Sequence, residues 1–111
     1  MMTPEQRKQF VAILDAAPDL TIATVRPDGY PQATTVSFVN DGEKIYFGTW
    51  SKSQKAKNIA TCDKVSVTVD LPYASWSEIR GVSLGGRARF VRGEGEIARV
   101  GALVLKKFPQ L

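Results

Sequence analysis

At 111 residues, with 43% hydrophobic, 23% charged and 9% aromatic residues and a formal net charge of +4, the chain suits one domain around one core. One cysteine excludes an intrachain disulfide and a cysteine-rich metal site, and zero histidines exclude Ser-His and Cys-His nucleophile systems, histidine metal ligation and imidazole acid–base catalysis. Chemistry in such a chain needs a cofactor or metal to bring the reactive group.

The opening TPEQRKQFVAILDAAPD reads as a helix. Thr3 caps it, Pro4 suits its first position and Gln6 completes a capping box. Phe10, Val11, Ile13, Leu14 and Ala17 form its apolar stripe, and Pro18 follows its end. This polar N-terminus is unlike a secretory signal, and no apolar run approaches the roughly 18 residues of a membrane span, so a cytoplasmic location is expected.

A β-branched run, LTIATV, follows at residues 20–25, and RPDGYP supplies turn chemistry centred on Asp28 and Gly29. QATTVSFVN at residues 32–40 alternates as a strand. Asp41-Gly42 then gives a hairpin signal, with KIYFGT at residues 44–49 as partner strand. A short helix is predicted around residues 53–61, and KVSVTVD at residues 64–70 places Val65, Val67 and Val69 on one face. After the loop LPYASWSE, IRGVSLGGRARFVR reads as one long strand with a bulge or bend at Gly85-Gly86. EIARVGALVLKKF closes the order as a helix, with Ile97, Val100, Leu103, Val104 and Phe108 inward. Tight turns and a helix too short for a parallel crossover favour an antiparallel sheet, and five or more strands suggest a small barrel.

The short helix carries its charges in reverse. Lys52, Lys55 and Lys57 crowd its beginning, and the first carboxylate, Asp63, comes after its end. A helix N-terminus is electropositive and disfavours cations by roughly 0.3–1 kcal/mol each. Taken alone, such a run suits a solvated face; joined to the spacing of the motifs around it, a phosphate at Lys55, which would reverse the local balance, becomes the better reading, with Lys52 and Lys57 facing solvent.

From DG-x-P (Asp28, Gly29, Pro31), through the strand to Val36 and the aromatic strand ending at Thr49, to Ser53, Lys55, Asn58 and Ile59 of S-x-K-x-x-N-I and the valine strand, the chain resembles the pyridoxamine 5′-phosphate oxidase-like flavin-binding split barrels. The match is close over residues 20–70 and looser around Gly86, Arg87 and Ala88. The resemblance implies a mainly β (α+β) fold: a six-stranded antiparallel split β-barrel with flanking helices, as a single domain over residues 1–111. It also implies a homodimer with FMN, or F420 or haem in relatives, held in a groove between subunits, and oxidoreductase activity on a small-molecule substrate. The flavin phosphate would meet Thr49, Ser53, Gln54 and Lys55, and the ring and ribityl chain would lie along Thr34, Thr35, Val36 and Ser37.

Departures from the family pattern are specific. Gln54 stands where many relatives have arginine, and Ala33 where true pyridoxamine phosphate oxidases have a basic residue. Their C-terminal Arg and His segment has no counterpart, and relatives commonly continue with a strand where this sequence stops at FPQL. Either the barrel is completed differently or the sequence is a fragment. Flavin-type binding is thus better supported than vitamin B6 oxidation.

Other residues read more simply. Trp50, Trp76 and Tyr73 suit core or interface packing, and Arg80, Arg87, Arg89 and Arg92 an exposed face. Cys62 suits a partly buried helix end. No general acid or base stands out beyond Asp70 and Glu78. A nucleic-acid platform built on Tyr46, Phe47 and Trp50 is disfavoured, because the basic residues are dispersed and alternation puts some of these aromatics on opposite faces.

Overall fold

The computed structural model describes residues 2–110. Its elements in chain order are α1 (Pro4–Ala16), β1 (Asp19–Val25), β2 (Pro31–Asp41), β3 (Lys44–Phe47), α2 (Gln54–Thr61), β4 (Lys64–Asp70), a 3-10 turn at Trp76–Glu78, β5 (Gly81–Arg87) and α3 (Glu94–Lys107). The strands form one antiparallel sheet ordered β3-β2-β1-β4-β5, curled into half of a barrel. Among the described residues there are five strands, one short of the six the resemblance implies.

Local chemistry explains most of these elements. Thr3 and Gln6 exchange both bonds of the capping box at the start of α1. Both hairpin turns place glycine at positive φ, Gly29 at 88° and Gly42 at 59°, where a side chain would be strained. Asp28 ties the first turn by accepting from the Tyr30 N–H and from Arg26.

The concave face of the sheet carries Leu20, Ile22, Phe38, Val67 and Val69, and α1 seals one end of it with Ile13, Leu14 and the Ala17 that caps its C-terminus. Beyond that end, the concave face opens as an apolar groove of about 630 Å³ between the β3 and β5 edges, bordered by Phe47, Val65, Leu84 and Val100. No helix among the described residues is long and apolar enough to cross a membrane.

Three expectations fail. The long bulged strand is instead a seven-residue β5 whose register with β4, from Asp70↔Gly81 to Lys64↔Arg87, is unbroken through Gly85 and Gly86. Its register ends at Lys64↔Arg87, and one further bond, from the Ala88 N–H to the Asp63 carbonyl at 2.8 Å, is the last before that neighbouring segment turns at Cys62 into the end of α2. A core role for Trp50 and Trp76 is overturned by their exposures of 71% and 87%. Ile97 is 52% exposed rather than inward, because α3 lies over an open groove and buries no residue fully.

What holds α3 is polar. The Tyr46 hydroxyl donates to Glu96 at 2.9 Å, and Arg89 donates to both Glu96 oxygens at 3.1 and 3.2 Å. Donation from Tyr46 holds the Glu96 carboxyl below its ordinary range, with Arg89 and Lys44 assisting, and the same bond raises Tyr46. Glu96 therefore contributes stability that is complete above its ordinary value of 4.5 and is lost as pH falls through the lowered folded value. Tyr46 contributes below 10.0, and its share is lost as pH rises through the raised value. Protection of the α3 amides, relative to their intrinsic exchange rate at each pH, is expected to fall below pH 4.5, and Tyr46→Phe to blunt that fall. Identical pH profiles for the two proteins would remove this account.

Candidate functional site

The start of α2 is built by two hydroxyls. Ser53 caps the helix, its Oγ accepting from the Ala56 N–H at 3.1 Å, and Thr49 Oγ1 lies 2.9 Å from the same oxygen. The Ser53 N–H donates to the Trp50 carbonyl at 2.9 Å, which closes the loop entering the helix. That accounts for two of the four N–H groups a helix start leaves over; those of Gln54 and Lys55 have no acceptor within the helix.

The charge around this spot is one-sided. The five ion pairs among the described residues all use arginine: Arg7–Glu43, Arg26–Asp28, Arg87–Asp63, Arg89–Glu96 and Arg99–Asp41. Lys52, Lys55 and Lys57 take part in none of them. Asp63, the carboxylate nearest in sequence, is committed to Arg87 through both oxygens, at 3.1 and 3.2 Å. Lys52 and Lys57 are exposed, whereas Lys55 is half-buried.

The strand residues divide between two faces. Thr34 and Val36 point to the concave side and are half-buried, while Thr35 and Ser37 are exposed on the other. Side chains from all four cannot meet one flat ligand, but their main chain can. β3 pairs with β2 only from Phe38 to Asp41, so β2 from Pro31 to Ser37 has β1 on one side and no strand on the other among the described residues. Alternate N–H and C=O groups of that stretch face an open edge. Thr34 Oγ1 is buried with no hydrogen-bond partner, an atom that calls for a polar neighbour.

Sequence reasoning missed the residues that join these two parts. Asn58 is completely buried, and its amide nitrogen donates to Thr24 Oγ1 on β1 at 2.9 Å and to Gln32 Oε1 on β2 at 3.1 Å. Thr24 and Gln32 are themselves opposite in the β1–β2 register. Gln54 Nε2 donates to Asn58 Oδ1 at 2.8 Å, so its amide folds back along the helix. The asparagine of the S-x-K-x-x-N-I run was visible in the sequence; its partners, 34 and 26 residues away, were not. Asp70 and Glu78 show no catalytic arrangement, and Glu78 accepts from the Ala74 N–H within its own loop.

The model of the pyridoxamine 5′-phosphate oxidase family matches residues 6–109. No curated protein matches the chain. Among solved structures, a conserved hypothetical protein from Mycobacterium tuberculosis is similar at 32% identity and a TM-score of 0.81, over 97% of this chain and 65% of that one. An F420 reductase is similar at 27% identity and a TM-score of 0.71, over 90% and 76%. A heme binding protein from Mycobacterium smegmatis shares the fold at 20% identity and a TM-score of 0.79, over 99% and 45%. The chain thus spans just under two thirds of the length of the first of these.

Proposed function

Because the chain belongs to the pyridoxamine 5′-phosphate oxidase family, we propose that it binds FMN as a homodimer and serves as a small oxidoreductase acting on a small-molecule substrate. One observation carries this reading: three lysines without a carboxylate partner crowd a serine-capped helix start that has two free N–H groups. Such a place suits a dianionic phosphate and little else. Lys55, Ser53, Thr49 and the N–H groups of Gln54 and Lys55 would hold the phosphate. The open edge of β2 over Thr34, Thr35, Val36 and Ser37 would take the ring through main-chain groups, and the unpartnered Thr34 hydroxyl would gain an acceptor or donor. When bound, FMN supplies the hydride or electron chemistry that a chain without histidine lacks.

The apolar groove and the exposed Ile97 and Leu105 of α3 support the remaining parts of the proposal. A sixth strand would close the barrel there, and a second copy would bury apolar surface that one copy leaves in water. F420 in place of FMN is the second reading, favoured by the likeness to an F420 reductase at 27% identity. Haem is disfavoured, since no histidine is available for ligation. Neither nucleic acid nor membrane is a proposed partner, and the proposed location is cytoplasmic.

The test is the visible absorption spectrum of the purified protein, with a mass measurement of any small molecule released on denaturation. A flavin or deazaflavin chromophore supports the proposal and decides between its two forms. A colourless protein that also fails to bind either cofactor in titration would remove it.

A further inference from the structure

The completely buried amide of Asn58 invites a question that packing does not answer. α2 also lays Ala56 and Ile59 into the protein, and a third apolar residue would fill position 58 at no cost in desolvation. A buried amide instead demands partners, and Asn58 has three: it accepts from Gln54 and donates both its N–H groups, to Thr24 and to Gln32. Those partners belong to α2 itself, to β1 and to β2. Apolar contacts alone leave a short helix free to slide and turn, because they are non-directional. Three hydrogen bonds with fixed directions do not.

Each end of this relay meets part of the proposed cofactor site. Gln54 is the first residue of α2, next to the cap and to Lys55. Gln32 stands two residues before Thr34 on the strand whose edge is open. We infer that Asn58 is a positioning residue that fixes the distance and angle between the phosphate-holding start of α2 and the ring-holding strand β2. This inference rests on the flavin-phosphate reading. A ligand of fixed length, phosphate at one end and ring at the other, is served only if both ends are set at once, and a misplacement near 1 Å can cost up to about a hundredfold. Asn58 touches neither end, and acts through the backbone it holds.

The test is a double-mutant cycle on the full chain with FMN and riboflavin as probes, joined to amide exchange of the free protein. Asn58→Ala is expected to weaken FMN about tenfold and riboflavin less than about twofold, with little further loss when Lys55→Ala is already present. A purely structural role would weaken both ligands equally and add to Lys55→Ala, and that result overturns the inference. Thr24→Val removes one acceptor at nearly constant shape and is read in the same cycle if Asn58→Ala does not fold; it should show the same selectivity for FMN at smaller size. A wild-type protein that binds no FMN removes the proposed function, and the exchange data then judge the anchoring alone. Faster exchange across α2 in the Asn58→Ala protein, with α3 unchanged, upholds the anchoring; unchanged exchange in α2 overturns it.

Discussion

Lys55→Ala is expected to weaken FMN binding about a hundredfold while changing riboflavin binding less than about twofold, a selective loss of about 3 kcal/mol. The size follows from what the ammonium faces. Lys55 is half-buried and has no carboxylate partner among the described residues, so it does not have to leave one to meet a phosphate. Hydrogen bonds to charged groups contribute about 1.5–3 kcal/mol, and a dianion beside two free N–H groups belongs at the upper end. Riboflavin has the same ring and no phosphate, which makes it the control for any general disturbance.

Lys52→Ala and Lys57→Ala sit on exposed side chains and should each cost less than about threefold, with that loss erased by salt. The ligand-free protein should respond in the opposite sense. Removing a cation from the positive end of α2 relieves repulsion worth a few tenths of a kcal/mol, so Lys55→Ala without FMN should melt no lower than wild type. Equal losses for FMN and riboflavin, or a lowered melting temperature without ligand, would mean that Lys55 supports the fold and not a phosphate.

The parts of this site written in contiguous residues were legible, and the parts written across the fold were not. Ser53 before an apolar-periodic segment announces a helix start, and the lysines beside it announce an excess of charge; both need only a window of ten residues. The register of β2 was equally local, since Asp28-Gly29 and Asp41-Gly42 fix both of its ends and alternation then assigns Thr34 and Val36 to one face. The length of β5 was not local. RARFVR has the composition of a strand, but a strand needs a neighbour, and β4 ends the pairing at Lys64. Gly86 adds to this: a Cβ there would meet no atom within 4 Å, so the position borders the open groove, where a bulge was expected. Trp50 and Trp76 show the same limit from the other side. Aromatic type predicts a preference for burial, but both stand in connecting segments, outside every helix and strand except the short turn that Trp76 begins. Asn58 is the deepest case, because a buried amide gains its meaning from Thr24 and Gln32, and those partners exist only once β1, β2 and α2 have met.

Phe38→Ala should destabilise the protein by about 3–5 kcal/mol, the range for deleting a buried aromatic ring, from a total that rarely exceeds about 15 kcal/mol. Phe38 is 2% exposed and joins three layers. It pairs with Phe47 across β2 and β3, meets the cluster of Ile13 and Leu14 from α1 and Ala17 just after it, and receives α3 through Lys107. The Lys107 ammonium stands 3.8 Å from the ring centroid and donates to the Ala17 carbonyl at 2.7 Å. Burial pushes Lys107 below its ordinary 10.5, so the fold carries its charge at some expense below the lowered value and is relieved as pH rises through it. The ring face offsets that expense, by about 0.5–2 kcal/mol for a cation held over an aromatic face. Phe38→Leu separates the two roles, since it keeps most of the apolar volume and removes only the ring. Its cost should shrink when Lys107 is replaced by Met, while the cost of Phe38→Ala, dominated by the cavity, should change little. Denaturant unfolding of the three single and two double variants measures both. If Phe38→Leu costs the same with and without the Lys107 ammonium, the ring is packing alone, and α3 is held by the bond to the Ala17 carbonyl just after α1 and by the Tyr46–Glu96 contact to β3, without help from the core.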